Sequence, residues 1–534
     1  MVNIGNSLAV GMLLAWPLVI VLMFRVMTLE RALIWSILGG YMLLPQVTEI
    51  NFPGIPAFNK TSLPNLTAFV VIVVMAGRLP HLLPRSLIAR ALVLLLALSP
   101  AMTVLNNLDS IRFGLQSVGG LQVYDPSRLV QGDLPGLRAY DSASELARQL
   151  IMLMPFFLAR HYLRSEAAIT EILRALVVAG LIYALPMVFE VRFSPQLHTW
   201  VYGFIQHDFI QAIRAGGFRP FVFMPHGLWV AFFAFMTAMA GVALTMTAKP
   251  GKRRQMVVVT LILVALVPLC KSLGAIVFAL ALIPALLFLP ARVHLLFGLL
   301  VSVLVLAYPM MRGAGLIPTA QIVERVERIS EERSQSLQYR FDNEDRVFEH
   351  VREKPVLGWG SWGRFMPRDP MTGETRVVVD GLWIITIGQF GWLGYLALFG
   401  LLVMPLMSIW WQGRRAQAPP IPISVSALVL IYAANVLDLL PNATLVPFSL
   451  LIGGALLGYA EDLRRVLDAR QSQPGVRGHD NVILGKAAAG RPPLAQPWAP
   501  GGLLNVRRAR ANPPHQPDQP DQPDRQSPGR RTLL

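Results

Sequence analysis

Residues 256–290, MVVVTLILVALVPLCKSLGAIVFALALIPALLFLP, contain two long apolar runs separated by a very short polar turn. A helix that crosses a membrane needs about 20 predominantly apolar residues. Each run approaches that length, so the pair is typical of two helices that cross a bilayer and return. The turn between them, CKSLGA, carries Lys271 and Ser272. This stretch predicts an all-α membrane protein.

The composition of the whole chain points the same way. Of its 534 residues, 54% are hydrophobic and 15% are charged, whereas a soluble domain has about 25% charged residues. A soluble protein and a mainly disordered one are both excluded. The net charge of +16 indicates anchoring on anionic lipid and not nucleic-acid binding. The single cysteine, Cys270, cannot form an internal disulfide, and no metal site or other cofactor is expected.

Apolar runs recur along the chain and predict a polytopic bundle of about thirteen transmembrane helices. They lie near residues 7–25, 31–47, 65–78, 87–105, 147–161, 167–189, 227–247, 256–270, 272–290, 294–311, 381–411, 423–441 and 444–460. Lys and Arg concentrate in alternate short loops. The positive-inside rule therefore predicts that the N-terminus lies outside and the C-terminus lies in the cytoplasm.

The remaining segments predict four regions. Transmembrane helices occupy 1–311, with outer segments at 48–64, 106–146 and 190–226, and again 381–460. Residues 312–380 form the largest outer loop, and apolar residues at helical spacing predict an amphipathic helical cap on the membrane surface. Residues 461–534 are basic and proline-rich, which predicts a short helix at 461–469 and then a disordered cytoplasmic tail.

Several ionisable or polar residues lie on the predicted outer face. They are Arg214, Arg219, His226, Lys271, Arg340, Asp380, Asn435 and Asp438. Each has an ordinary structural explanation: arginines reach phosphate headgroups, a histidine bonds at the interface, and Asp438 caps a helix or bonds Asn435. Their convergence from separate segments instead indicates a site for an anionic group, because ionisable groups at membrane depth are costly. A diphosphate suits best, since Arg binds it bidentately and Lys adds a point charge.

The stretch SLQYRFDNEDRVFEHVREKPVLGWGSWGRF (residues 336–365) resembles the signature of the O-antigen ligase and O-antigen polymerase superfamily of membrane glycosyltransferases. In it, Arg340 precedes Pro355 by 15 residues, and Gly358-Trp359-Gly360 follows. The segment RAGGFRPFVFMPHGLWVAFF (residues 214–233) resembles the earlier outer arginine motif of that family. CKSLGA resembles its Ser-Arg turn, with Lys271 in place of the arginine. The resemblance covers roughly residues 200–400 and implies a GT-C-like fold.

The resemblance implies transfer of an oligosaccharide from a polyprenyl-diphosphate carrier to an acceptor sugar hydroxyl, at the outer leaflet of a bacterial inner membrane. The catalytic candidates are Arg340, Arg219 and Asp380, and the substrate-binding candidates are Arg214, Lys271, His226, Trp359, Gly360 and Asp438. The donor, a glycan acceptor, membrane lipids and other polysaccharide assembly proteins are the expected partners.

Asp380 stands where many ligases carry a histidine. That absence favours an exopolysaccharide or O-antigen polymerase over an O-antigen ligase, which remains an alternative. A transporter or lipid-linked glycan flippase is a second alternative from another class, and a structural scaffold is a third. The predicted spans carry almost no charge at their centres, which disfavours a transmembrane path.

Overall fold

The structure, a computed structural model, describes residues 5–52, 55–118, 121–124, 129, 131–214, 216–328, 330–375 and 377–472. The predicted disordered tail beyond residue 472 lies outside the described residues. The α-helices are α1 (Ser7–Val26), α2 (Leu29–Leu43), α3 (Ser62–Ala76), α4 (Leu87–Leu105), α5 (Ala139–Tyr162), α6 (Glu166–Phe193), α7 (Leu197–Tyr202), α8 (Gly227–Met246), α9 (Pro250–Leu269), α10 (Leu273–Phe288), α11 (Ala291–Gly313), α12 (Thr319–Glu327), α13 (Glu331–Val351), α14 (Leu382–Gly413), α15 (Ile423–Asp438) and α16 (Pro447–Gln471).

The helices account for the apolar runs of the sequence. Each of the thirteen predicted spans coincides with one of α1–α6, α8–α11 or α14–α16. Among the described residues, six helices (α1, α4, α6, α8, α11 and α14) are long and apolar enough to cross a membrane, and α3, α10 and α15 are shorter apolar helices. The class of a multi-pass membrane protein is therefore supported. The count of thirteen spans stays a prediction.

The described residues are mostly helical, in agreement with the predicted all-α fold, but three short hairpins that the sequence did not predict lie in the loops. Three antiparallel hairpins lie in predicted outer segments: β1 (Glu49–Phe52) with β2 (Ile55–Asn59), β3 (Leu115–Val118) with β4 (Leu121–Tyr124), and β5 (Ile213–Arg214) with β6 (Gly217–Phe218). Short segments between helices satisfy their backbone hydrogen bonds by pairing with themselves. The last hairpin places Arg214 opposite Gly217.

Basic residues from the last turn of α5 and from two loops contact the C-terminal turns of α16. Arg160 Nη1 lies 2.6 Å from Glu461 Oε2, Arg164 Nε lies 3.2 Å from Asp462 Oδ2, and Arg415 Nη1 lies 2.8 Å from Asp468 Oδ1. These loops therefore share one end of the bundle. The helix predicted at 461–469 is not separate, because it is the end of α16, which these ion pairs hold against the bundle. That this end faces the cytoplasm stays a prediction.

The loop between α11 and α14 contains α12 and α13. Along α13, Val347 and Val351 are buried and form the predicted apolar face. Arg312, in the last turn of α11, donates to Asp345 Oδ1 at 2.8 Å and lies 3.9 Å from Glu344. These contacts fix α13 across the end of α11.

The segment after α13 docks onto a break in α14, where Gly391 has a φ of 65°. The backbone N–H of Trp359 donates to the Gly388 carbonyl at 2.8 Å, and that of Gly360 donates to Gln389 at 2.9 Å. A Cβ on Gly391 would lie 2.2 Å from the Val356 carbonyl oxygen. Glycine is required because two backbones touch there.

Replacing Gly391 with alanine is expected to destabilise the protein by about 3 kcal/mol or more, because both the left-handed φ and the close contact forbid a Cβ. The matched control is Gly274→Ala in α10, where an added Cβ meets no atom within 4 Å. Thermal unfolding of the detergent-solubilised protein measures both. Equal unfolding temperatures for the two variants would contradict the docking.

Candidate functional site

Arg219 is a buried cation that has no counterion among the described residues. Its side chain lies in the loop between α7 and α8 and is 3% exposed. Its Nε has no hydrogen-bond partner, and no described carboxylate forms an ion pair with it. Burial and the charge of Arg214 lower its pKa to about 10, so it remains charged at neutral pH. An unpaired buried charge costs several kcal/mol, which an anionic ligand would offset.

Two features hold Arg219 in place. Glu190, near the end of α6 and fully buried, accepts the backbone N–H groups of Phe221 and Val222 at 2.7 Å each and that of Leu197 at 3.1 Å. This carboxylate organises the loop that carries Arg219. Gly227 leaves space for the guanidinium, because a Cβ there would lie 2.5 Å from Arg219 Nε. Sequence reasoning missed Glu190, although a carboxylate near the end of an apolar run was the available signal.

His226 caps the N-terminus of α8. Its Nδ1 accepts the backbone N–H of Leu228 at 3.2 Å, so the ring proton of the neutral form lies on Nε2. That Nε2 is buried without a partner among the described residues. Burial and the neighbouring cation Arg219 lower the pKa of His226 to about 3. The imidazole is therefore neutral and offers a hydrogen-bond donor, not a base.

Several predicted cations surround this imidazole. The charges of Arg219, Arg214 and Arg340 each act to lower the pKa of His226. Lys271 Nζ donates to the Arg214 backbone carbonyl at 2.9 Å. We call Arg214, Arg219, Lys271 and Arg340 the cationic cluster. Cations from three separate segments thus lie near one another in the structure, whereas their role as a site for an anionic group stays a prediction.

Arg340 also forms an ion pair with Asp380. Its Nε lies 3.0 Å from Asp380 Oδ2, and the two side chains are 35% and 40% exposed. The pair joins α13 to the residue that precedes Gly381 and the start of α14. The two catalytic candidates from the large loop, Arg340 and Asp380, are therefore neighbours that partly neutralise each other.

Glu344 lies one turn along α13 from Arg340. Burial raises the pKa of Glu344 to about 7, and Trp383 Nε1 donates to its Oε1 at 3.4 Å.

The charge of Arg340 acts on Asp438, but both carboxylate oxygens of Asp438 already accept hydrogen bonds. Asn442 Nδ2 donates to Oδ1 at 2.9 Å, and Thr444 Oγ1 donates to Oδ2 at 2.7 Å. The alternative bond from Asn435 is absent among the described residues, because Asn435 Nδ2 instead donates to the Ile431 carbonyl at 2.8 Å. Asp438 therefore organises the loop after α15 and is poorly placed to bind substrate.

Trp359 and Gly360 also differ from expectation. Trp359 is 9% exposed, its ring stacks on His350 at 4.2 Å, and Lys354 Nζ lies 4.6 Å from its centroid. A Cβ on Gly360 would lie 2.3 Å from Leu137 Cδ1. Neither residue presents a free surface to a sugar, because the indole is covered and the glycine serves close packing. Trp362 is 62% exposed, and its Nε1 donates to Asp141 at 3.0 Å.

Two cavities lie on either side of the loop after α15, and both are lined by Ala443 and Leu445. The larger, about 460 Å³, has mainly apolar walls from α4, α5, α14 and α16, with Glu145 and Arg148 among its few charged residues. The smaller, about 220 Å³, contains Lys60. A lysine in a predicted outer segment was a signal that sequence reasoning overlooked.

The fold and the site together define a multi-pass membrane protein with a cationic cluster in the region around His226. Residues 257–399 match the Wzy_C family model, O-antigen ligase, and the resemblance is confirmed over this stretch. The matched region contains Lys271, Arg340 and Asp380, whereas Arg219 and His226 lie outside it. No curated protein sequence matches the chain. Members of the family are glycosyltransferase-like O-antigen ligases, which implies lipid-linked oligosaccharide and glycan acceptor substrates.

Proposed function

We propose that this protein is a polysaccharide polymerase of a bacterial inner membrane, with its N-terminus in the periplasm and its C-terminus in the cytoplasm. It transfers an oligosaccharide from a polyprenyl-diphosphate carrier to an acceptor sugar hydroxyl at the outer leaflet. The observation that carries this proposal is the buried guanidinium of Arg219, which has no counterion among the described residues and lies near the charge of Arg214. A diphosphate supplies the multiple negative charges that such a cluster lacks.

The cationic cluster would act mainly on the leaving group. Negative charge grows on the diphosphate as the bond between its oxygen and the anomeric carbon breaks. Arg219 and Arg340, with Lys271 and Arg214 nearby, would stabilise that charge, and preorganised cations of this kind commonly supply a large share of catalysis. The products are the lengthened glycan and the free polyprenyl diphosphate.

Asp380 is the proposed base. In the structure its Oδ2 is paired with Arg340 Nε at 3.0 Å, so this oxygen is already engaged before a donor binds. A bound diphosphate would compete for Arg340 and release Asp380. The acceptor hydroxyl would then attack the anomeric carbon and pass its proton to Asp380. Binding of the lipid-linked glycosyl donor would thereby free Asp380 to act as the base.

His226 would donate its Nε2–H to a phosphate oxygen. Replacing it with asparagine keeps a side chain that caps α8, but the shorter amide has no N–H that reaches the position of Nε2–H. We expect the transfer rate to fall by about 10- to 100-fold, with an unchanged unfolding temperature. Because its pKa lies at about 3, His226 should contribute no inflection to the pH–rate profile between pH 5 and 8. A wild-type rate in His226→Asn, or an inflection near pH 6.5 that this variant abolishes, would contradict this role.

Analysis of glycans made with and without this gene tests the function. Loss of a polymerase leaves single repeat units on the lipid carrier, already exposed at the outer leaflet. Loss of a ligase, which the description of the matched family favours, leaves a full-length polymer without its final anchor. Repeat units retained at the inner leaflet would instead indicate a flippase and would refute the proposed transfer reaction.

A further inference from the structure

Lys60 lies in the smaller cavity, between α2, α3 and α8. Its side chain is 9% exposed, and its Nζ donates to the Phe223 carbonyl at 2.5 Å. No described carboxylate forms an ion pair with it. Burial lowers the pKa of this ammonium well below its usual value. Because burial disfavours the charged form and no described carboxylate offsets that cost, a bound carboxylate or phosphate would favour the ammonium form of Lys60 in this cavity.

The bond from Lys60 to Phe223 does not explain why a lysine is present. Gln46 Nε2 donates to the same Phe223 carbonyl at 3.1 Å. That carbonyl would remain bonded without the lysine, and the other contact of Nζ, 5.9 Å from the centroid of the Tyr41 ring, lies at the outer limit of a cation–π interaction. A neutral side chain would also avoid the cost of burying a charge.

A second polar group in this cavity lacks a partner. Asn65 is fully buried, and its Nδ2 donates to the Ile151 carbonyl at 3.0 Å. Its Oδ1 has no hydrogen-bond donor among the described residues. Buried polar atoms without a partner are uncommon and call for an explanation. Lys60 and Asn65 together need a ligand that carries both an anionic group and a hydroxyl donor.

The walls and position of the cavity suit a sugar next to the cationic cluster. Trp229 and Tyr41 line it and offer aromatic surface. Pro225 also lines it and directly precedes His226, whose ring centroid lies 6.3 Å from that of Trp229. A volume of about 220 Å³ matches one monosaccharide better than an oligosaccharide or a lipid tail.

We propose that this cavity binds an acidic monosaccharide unit of the glycan, with its carboxylate on Lys60 and a ring hydroxyl donating to Asn65 Oδ1. This inference rests on the proposed glycan-transfer function and adds a specificity site to it. The aromatic rings of Tyr41 and Trp229 and the hydrogen-bond acceptor Asn65 Oδ1 favour a sugar carboxylate over an isolated phosphate as the occupant.

Saturation-transfer NMR on the full chain in phosphatidylcholine nanodiscs tests the inference. The probes are methyl β-D-glucuronoside and the uncharged methyl β-D-glucoside. We expect the glucuronoside to give a signal that exceeds the glucoside signal and that falls about tenfold in Lys60→Met. Lys60→Gln, which retains a hydrogen-bond donor without the charge, should lose the signal equally. Lys252→Met, at the exposed start of α9, is the matched control and should bind as wild type does.

Equal signals from the two sugars, or an unchanged glucuronoside signal in a folded Lys60→Gln variant, would overturn the inference. Full displacement by equimolar inorganic phosphate would also overturn it, because the cavity would then be a phosphate site. The readout needs no transfer activity. Arg219→Met should retain the glucuronoside signal, so failure of the sugar site and failure of the proposed transferase are told apart.

Discussion

Arg219→Met is expected to reduce glycan transfer at least about 100-fold, because it removes a preorganised cation from the developing charge of the leaving group. The same change should leave the unfolding temperature unchanged or raise it. Methionine fills a similar volume, and the buried charge that lacks a counterion is gone. Loss of activity together with retained or increased stability is what a ligand-binding arginine predicts.

Arg364→Met provides the matched control. Arg364 is equally buried, at 2% exposure, but its Nη1 donates to the Pro135 carbonyl at 2.7 Å and its Nη2 to the Asp109 carbonyl at 2.9 Å. Its removal should lower the unfolding temperature, because each buried carbonyl left without a donor costs about 1–3 kcal/mol. Thermal unfolding and polymer yield are measured on both variants. A destabilised Arg219→Met, or one that makes polymer at the wild-type rate, would refute the assignment.

Arg340→Ala and Asp380→Asn should each abolish detectable polymer formation while the protein still inserts in the membrane. The first removes a cation from the diphosphate, and the second removes the proton acceptor, whose loss typically costs 10²- to 10⁴-fold. Polymer length on a gel and single-turnover transfer by purified protein measure the effects. Arg346→Ala, on the same helix as Arg340, is the control and should stay active.

A charge exchange separates catalysis from mere structural pairing. The double variant Arg340→Asp with Asp380→Arg restores an ion pair between α13 and the start of α14. If the pair only holds the loop, the exchange should recover transfer. If Arg340 binds the diphosphate and Asp380 takes the proton, the exchange should recover stability but no transfer. Polymer of wild-type length from the exchanged protein would refute both proposed roles.

Hydropathy predicted the helices because the need for about 20 apolar residues acts on each segment separately. The segments 256–270 and 272–290 correspond closely to α9 and α10. The hairpins in the outer segments were missed, because pairing within a short polar loop leaves a much weaker pattern. The end of α16 was misjudged for a related reason. A change from apolar to charged composition does not end a helix when arginines of a neighbouring helix and loops pair with its carboxylates.

Local sequence also located the charged residues of the site but could not state their partners. The chain itself shows that Arg219, Arg340 and Asp380 flank apolar segments where charges are costly. Only packing decides that Arg340 meets Asp380, that Arg219 meets no carboxylate among the described residues, and that Trp359 is covered by His350 and Lys354. Whether a charge is satisfied depends on residues that are remote in the chain, and one-dimensional patterns do not record those distances.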